Sequence, residues 1–281
     1  MRYAICNELF EGRPLSEYLP LLSSLGYEGV ELAPFALPKH LAEQSAAEAR
    51  ALGQEIRSYG LEVVGLHWLL ARTTGLHISS PEREVRDRTA DYMARLIRRC
   101  GDLGGKVMVF GSPQQRNVLP GVSRADAWRW AVDFFQRVAP VAAEEGVTIC
   151  IEPLSREDTN FLNTKDEAVE LILAVGHPYV ALHLDVRAMS DEGRPLPELI
   201  SEGSLHLRHF HANDGKLGPG MGEVDYRPIL AALEQAKYSG WVSVEVFDFA
   251  PGPERIARES ILYLKRVEQE LHSAQGAGGL A

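Results

Sequence analysis

The sequence predicts a single-domain α/β protein built as a (β/α)8 TIM barrel, and three observations carry that prediction. Eight short β-rich runs alternate with longer helical patterns along the chain. Most of these runs are nearly continuous in apolar residues, as strands covered on both faces should be. The length, 281 residues, suits one such barrel, which commonly needs about 250 residues.

The expected strands, in order, are Tyr3–Cys6, Gly29–Leu32, Glu62–Leu66, Lys106–Phe110, Thr148–Glu152, Val180–Asp185, Leu205–His211 and Trp241–Glu245. Leu15, Leu19, Leu22 and Leu25 recur at helical spacing, which predicts a helix over Pro14–Leu25 with Gly26 as its stop signal. A long, aromatic-rich helix is expected over Ala125–Glu145, closed by Gly146. Thr164-Lys-Asp-Glu167 reads as a capping box opening another. The last helix starts at Pro253 and is expected to end near Leu271, so the barrel domain covers residues 1–271. Residues 272–281, HSAQGAGGLA, read as a flexible tail. An open doubly wound sheet is the rival topology. It would usually carry a glycine fingerprint after its first strand, where this chain has Asn7-Glu-Leu-Phe-Glu-Gly12.

Composition narrows the function classes. With 45% hydrophobic and 24% charged residues the chain can bury a sizeable core. Acidic side chains outnumber basic ones 39 to 29, for a net charge of -10. No basic stripe is present, so a nucleic acid is not an expected partner. No window approaches the roughly 18 apolar residues a membrane helix requires, and the N-terminus lacks the apolar segment of a signal peptide. Cys6, Cys100 and Cys150 are odd in number and scattered, which fits reduced thiols in the cytoplasm.

Catalytic groups of a barrel sit at the C-terminal ends of its strands. Here the fifth expected strand ends in Glu152, the sixth in Asp185, the seventh in His211 and the eighth in Glu245. Adjacent strands lie about 4.8 Å apart, so these side chains can converge at the barrel mouth. Three carboxylates crowded there repel one another and lose hydration unless a cation joins them. The bland alternative has each acid ending its strand in solvent, which four adjacent strands in succession argue against. One divalent ion is therefore expected. Mixed oxygen and nitrogen donors suit manganese, magnesium, cobalt or zinc.

Further motifs accompany these residues: Gly65-Leu-His-Trp-Leu-Leu70, Ile151-Glu-Pro-Leu154 with Phe161-Leu-Asn-Thr164, and His183-Leu-Asp185. His211-Ala-Asn-Asp214, Gly218-Pro-Gly-Met-Gly222 with Asp225, and Gly240-Trp-Val-Ser-Val-Glu245 follow in order. In this set the chain resembles the xylose-isomerase-like superfamily, particularly its sugar isomerase and ketose 3-epimerase branch. The resemblance implies Glu152, Asp185, His211 and Glu245 as metal ligands, with Glu152 and Glu245 also acting as a proton-transfer pair. A ketose carbonyl and neighbouring hydroxyl would chelate the ion. One glutamate would take a proton from the adjacent carbon to give an ene-diolate, and the other would return one.

Substrate-contact candidates are His67 and Trp68 after the third strand, Asp158 and Arg187 in the loops after the fifth and sixth, His183 on the sixth strand, and Asp214. Each has a plainer structural reading as a packed ring, a buried histidine or a surface ion pair. His209, Glu31 and Lys216 are weaker candidates on the same reasoning, and the glycine-rich loop 218–222 reads as a turn. Two departures bear on the substrate. Ketose 3-epimerases usually carry a histidine where this chain has Ala188, with Arg187 beside it. Their glutamate after the fifth strand has Asp158 as its counterpart here.

The leading expectation is a metal-dependent isomerase or epimerase of a sugar or sugar derivative, with a small carbohydrate as partner. A lyase or dehydratase acting on a keto-sugar, keto-cyclitol or 3-keto-glycoside shares the same first step. An endonuclease IV-like nuclease would need more metal ligands and a basic face. Oligomerisation through the outer helices is left open by the sequence.

Overall fold

The computed structural model describes residues 1–278, with side chains described to Ser273. Eight parallel strands form a closed barrel in chain order: β1 (Arg2–Cys6), β2 (Gly29–Leu32), β3 (Glu62–Leu66), β4 (Val107–Phe110), β5 (Thr148–Ile151), β6 (Val180–Asp185), β7 (Leu207–Ala212) and β8 (Trp241–Val244). β8 pairs back onto β1, with Ala4 opposite Ser243 and Ile5 opposite Val244. Glu152 and Glu245 fall one residue beyond their strands, but their N–H groups still donate to Phe110 and Ala212 of the neighbouring strands, 3.2 Å each. Leu205 and His206 leave the expected seventh strand; they form the turn into it, and Leu205 is 82% exposed.

The helices are α1 (Leu15–Leu25), α2 (Ala46–Ser58), α3 (Arg83–Leu103), α4 (Arg124–Glu145), α5 (Lys165–Val175), α6 (Val186–Ser190), α7 (Leu196–Gly203), α8 (Tyr226–Gln235) and α9 (Pro253–Gly278). Gly26 and Gly146 end α1 and α4 in the left-handed conformation, as the sequence anticipates. The capping box at Thr164 is only half formed. Thr164 accepts from the Glu167 N–H, but the Glu167 carboxylate takes the Asn163 N–H instead. α9 runs past the expected end at Leu271; residues 279–281, the end of the expected tail, lie outside the described residues. None of the described helices is long and apolar enough to cross a membrane.

Two layers of side chains hold the barrel. Between strands and helices lies an apolar shell that includes Ile5, Val30, Leu66, Phe110, Ile149 and Leu182. The inner layer is different. Glu31 on β2 hydrogen-bonds His209 and His211 on β7, strands that are not neighbours, so these groups meet inside the barrel. The two-residue period of a strand then puts Ala4 with Cys6, His183 with Asp185, and Ser243 with Glu245 on interior faces. The lower interior is apolar, with Ala4, Val64 and Trp241 packed together and Val107, Val109, Cys150 and Ala181 in a second group. The upper interior is polar, and the site sits on top of it.

Gly65 is a sterically forced choice in this wall. A Cβ there would overlap the backbone of Val107 on β4.

Candidate active site

Glu152, Asp185, His211 and Glu245 come from four consecutive strand ends, and one ligand-capable atom from each lies within 4.8 Å of all the others. All four side chains are buried. Each is held from below or beside. Asp185 caps α6 by accepting the Ala188 N–H at 2.7 Å, and its second oxygen accepts from Asn213 Nδ2. His211 turns Nδ1 toward Glu245 Oε2 at 3.1 Å and Nε2 toward the Glu31 carboxylate at 3.1 Å. Glu152 is anchored through its own carbonyl, which accepts from the fully buried Arg116 at 2.6 Å; the same guanidinium bonds the Leu162 carbonyl at 3.0 Å. Gly111 makes room for the Glu152 carboxylate, because a Cβ there would overlap Oε2.

The electrostatics match a cation site. Burial, followed by Glu245 and Asp185, pushes the Glu152 carboxyl well above the carboxylate range. Burial and Glu245 likewise raise Asp185 to about 6. Burial opposes charge on His211, but Glu31 and Glu245 outweigh it and raise that imidazole. Glu152, Asp185 and His211 therefore hold protons more readily than usual at one point, beside the Glu245 carboxylate. A divalent ion would replace those protons and relieve the repulsion, so this donor set fits one. Glu31 stands against His211 in the position of the outer carboxylate that metal-binding histidines commonly have.

The cluster opens into a cavity of about 270 Å³. Four of the six substrate-contact candidates line it: His67, Trp68, Asp158 and Arg187. Lys216 and Phe247 complete its outer wall. Arg187 is not a free cation, since it forks onto Asp158 at 2.7 and 3.4 Å and stands over the Phe247 ring. Burial pushes Asp158 up, but hydrogen bonds from Arg187 and Ser155 win and hold it below its ordinary range. Two cavity residues, Trp68 (φ 52°) and Ser112 (φ 44°), are left-handed without being glycine. Such a conformation costs about 1–2 kcal/mol per residue, so the packing around the cleft fixes that wall.

The other two candidates lie elsewhere. His183 is completely buried beneath the cluster, with Nε2 3.7 Å from Glu152 Oε1, and does not line the cavity. Asp214 faces its own loop and accepts the N–H groups of Gly222, Glu223 and Val224, which makes it the clamp of the glycine-rich turn.

A family model for the xylose isomerase-like TIM barrel matches residues 19–267. The chain belongs to that family. Among curated relatives, a probable ketose 3-epimerase from Synechocystis sp. is 25% identical over 87% of this chain and 88% of its own length. A 3-dehydro-D-guloside 4-epimerase from Escherichia coli is 24% identical over 94% of this chain and 99% of its own. Among solved structures, a D-psicose 3-epimerase studied in the presence of D-fructose superposes with a TM-score of 0.83. It is 21% identical and covers 95% of this chain and 99% of its own. The family model thus gives the barrel family, and the names of these relatives are those of sugar epimerases.

Of the groups on or just after the first two strands, the sequence offers Glu31 only as a weaker candidate and does not single out Glu8. Glu8, in the turn after β1, hydrogen-bonds His67 Nε2 at 2.6 Å, and Glu31 on β2 lies under His211. Applying the strand-end rule to β1 and β2 as well as to β5–β8 points to both. Arg116, in contrast, carries no signal in a single sequence, because nothing local marks an arginine as buried.

Proposed function

We propose that the protein is a metal-dependent sugar isomerase or epimerase that moves a proton at a carbon next to a carbonyl. The observation that carries this reading is the convergence of Glu152, Asp185, His211 and Glu245 within 4.8 Å at the floor of a cavity. These four residues hold the divalent ion. When bound, that ion supplies charge stabilisation for a chelated carbonyl and makes the neighbouring C–H more acidic.

The protein side chains carry the proton. Glu152 and Glu245 directly follow strands β5 and β8, and both line the cavity. One takes the proton from the carbon beside the carbonyl; the other returns a proton to that carbon from the opposite face, or to its neighbour. The first outcome inverts a stereocentre and the second isomerises. His67 lies at the cavity wall with its ring tied to Glu8, and Trp68 offers an aromatic face for sugar C–H groups. The relatives' names span a free ketose and a keto-glycoside, and one proton-transfer chemistry serves both.

Ala188 favours a second reading. It replaces the histidine that ketose 3-epimerases usually carry, and it is 4% exposed with its N–H spent on Asp185. A keto-sugar bound without that contact is open to loss of a β-substituent after the same proton abstraction. Incubation of the metal-reconstituted protein with ketoses, keto-cyclitols and keto-glycosides in deuterated water separates the two. A product carrying solvent deuterium and otherwise unchanged in mass supports isomerase or epimerase chemistry. Loss of water or of a substituent replaces it with elimination.

A further inference from the structure

The cavity above the carboxylate cluster is the smaller part of a larger cleft. A second chamber of about 480 Å³ adjoins it and shares Trp68, Ser112, Pro113 and Phe247 as a common border. Small-molecule sites commonly enclose about 300–1,000 Å³. The chamber at the cluster, about 270 Å³, lies at the low end of that scale and suits a single sugar ring. A substrate confined there leaves the larger chamber as a water-filled annex.

The lining of the second chamber states what it can hold. Phe35, Trp68, Phe247 and Phe249 supply aromatic surface, and Glu8, Glu11, Arg72 and Gln114 supply hydrogen-bonding groups. Flat apolar faces edged by polar groups suit a ring with an apolar face and a polar rim. Phe249, 43% exposed, adds an accessible aromatic face to the lining of this chamber. Phe35 is braced by the Arg72 guanidinium 4.0 Å from its ring centroid, and Arg72 is forked onto Glu11 at 2.5 and 2.9 Å. Arg72 and Glu11 thus border the Phe35 ring with polar groups on this wall.

Charge narrows the occupant further. Arg72 is the single cation among the residues lining this chamber, and Glu11 neutralises it. Glu8 is engaged with His67. A phosphate or carboxylate tail would meet no free positive partner there and would face two carboxylates.

We infer that the substrate is a glycoside: a keto-sugar ring at the carboxylate cluster, carrying an uncharged ring as its glycosidic substituent in the second chamber. This inference rests on the proton-transfer reading of the cluster. The reaction leaves the glycosidic bond intact. One C–H bond breaks, one C–H bond forms through the two glutamates, and no oxidant or reductant is consumed.

The test compares methyl, phenyl and glucosyl glycosides of 3-keto-glucose, with D-fructose and D-fructose 6-phosphate as references, on the metal-loaded protein. Solvent deuterium incorporation gives KM and kcat, and calorimetry with the unreactive methyl and phenyl glucosides gives affinity without turnover. The inference predicts a KM at least about tenfold lower for a ring-bearing glycoside than for the methyl glycoside, on the scale of one to two aromatic contacts. Preference for the phenyl ring assigns an aryl aglycone, and preference for the glucosyl ring a second sugar. Phe249→Ala, at an exposed position, and Phe35→Ala should each collapse the ratio between ring-bearing and methyl substrates toward one. Equal KM and equal affinity for methyl and ring-bearing glycosides overturn the inference, as does tighter binding of the sugar phosphate. Exchange on the methyl glycoside or fructose without an aglycone preference sinks the second chamber alone. Absence of exchange on every compound sinks the proton-transfer reading, and calorimetry still decides the chamber.

Discussion

Glu31 Oε2 lies 3.1 Å from His211 Nε2, so a carboxylate on β2 orients an imidazole on β7 from across the barrel. The same carboxylate accepts from His209 at 2.8 Å. Burial pushes Glu31 toward protonation, but the two imidazoles outweigh it and hold the carboxyl well below its ordinary range. An ionised Glu31 fixes the Nε2–H tautomer of His211 and leaves Nδ1 facing Glu245. Glu31→Gln keeps the shape and removes the charge. It should weaken divalent-ion affinity by about 10–100-fold in a calorimetric titration, with the fold retained by circular dichroism. Unchanged affinity would leave Glu31 as core packing only.

Protons and the ion compete for the same oxygens. Burial, reinforced by Glu245, raises Asp185 from its ordinary 3.8 to about 6 in the metal-free protein. Below pH 6 the ion must displace that proton, so apparent affinity should fall about tenfold per pH unit there. The stability sign follows from the same shift. A raised folded-state pKa contributes stability that is full below the ordinary value and lost as pH rises through about 6. The melting temperature of the metal-free protein should therefore drop between pH 4 and 7, and Asp185→Asn should flatten that part of the drop. A metal-free profile that rises across this window contradicts the assignment.

Glu152→Gln and Glu245→Gln remove one proton carrier each. Each should lower kcat by about 10²–10⁴-fold, measured as deuterium wash-in to the recovered sugar. Partial wash-in with no product would identify the surviving glutamate as the one that abstracts. Wild-type turnover in either variant removes that residue from the chemistry.

How much of this was legible in the sequence follows from which signals are local. The strands and their order were, because β strands covered by helices carry apolar runs that stand out between glycine-stopped helices such as α1 and α4. The four strand-end residues were, because a barrel brings consecutive strand ends together whatever lies between them. Trp68 and Arg187 line the cleft, yet the Arg187–Asp158 fork depends on two loops that only the closed barrel juxtaposes. His183 and Asp214 share strand or loop position with the cluster, but side-chain depth and loop direction put one beneath it and turn the other away. Glu31 and Arg116 act through partners 180 and 36 residues away, separations at which a single sequence carries no pairing signal.

Arg116 is the clearest case of such a hidden support. Burial lowers its guanidinium to about 10, and its two hydrogen bonds satisfy the carbonyls of Glu152 and Leu162. Arg116→Met removes the donor on the buried Glu152 carbonyl, at about 1–3 kcal/mol, while the Leu162 carbonyl keeps the Leu154 N–H. For a chain of this size that corresponds to a fall in Tm of roughly 2–4 °C per kcal/mol. Because one carbonyl belongs to Glu152, kcat should fall as well, and Arg116→Lys should recover part of both losses. A variant that melts lower but keeps its kcat would make Arg116 structural only.

The most direct measurement is a calorimetric titration of chelator-stripped protein with manganese, repeated on Asp185→Asn and His211→Ala. Binding of one ion per chain, abolished or weakened at least about a hundredfold in both variants, is the predicted result. No binding, or binding that both variants leave untouched, would contradict a cation site built from Glu152, Asp185, His211 and Glu245.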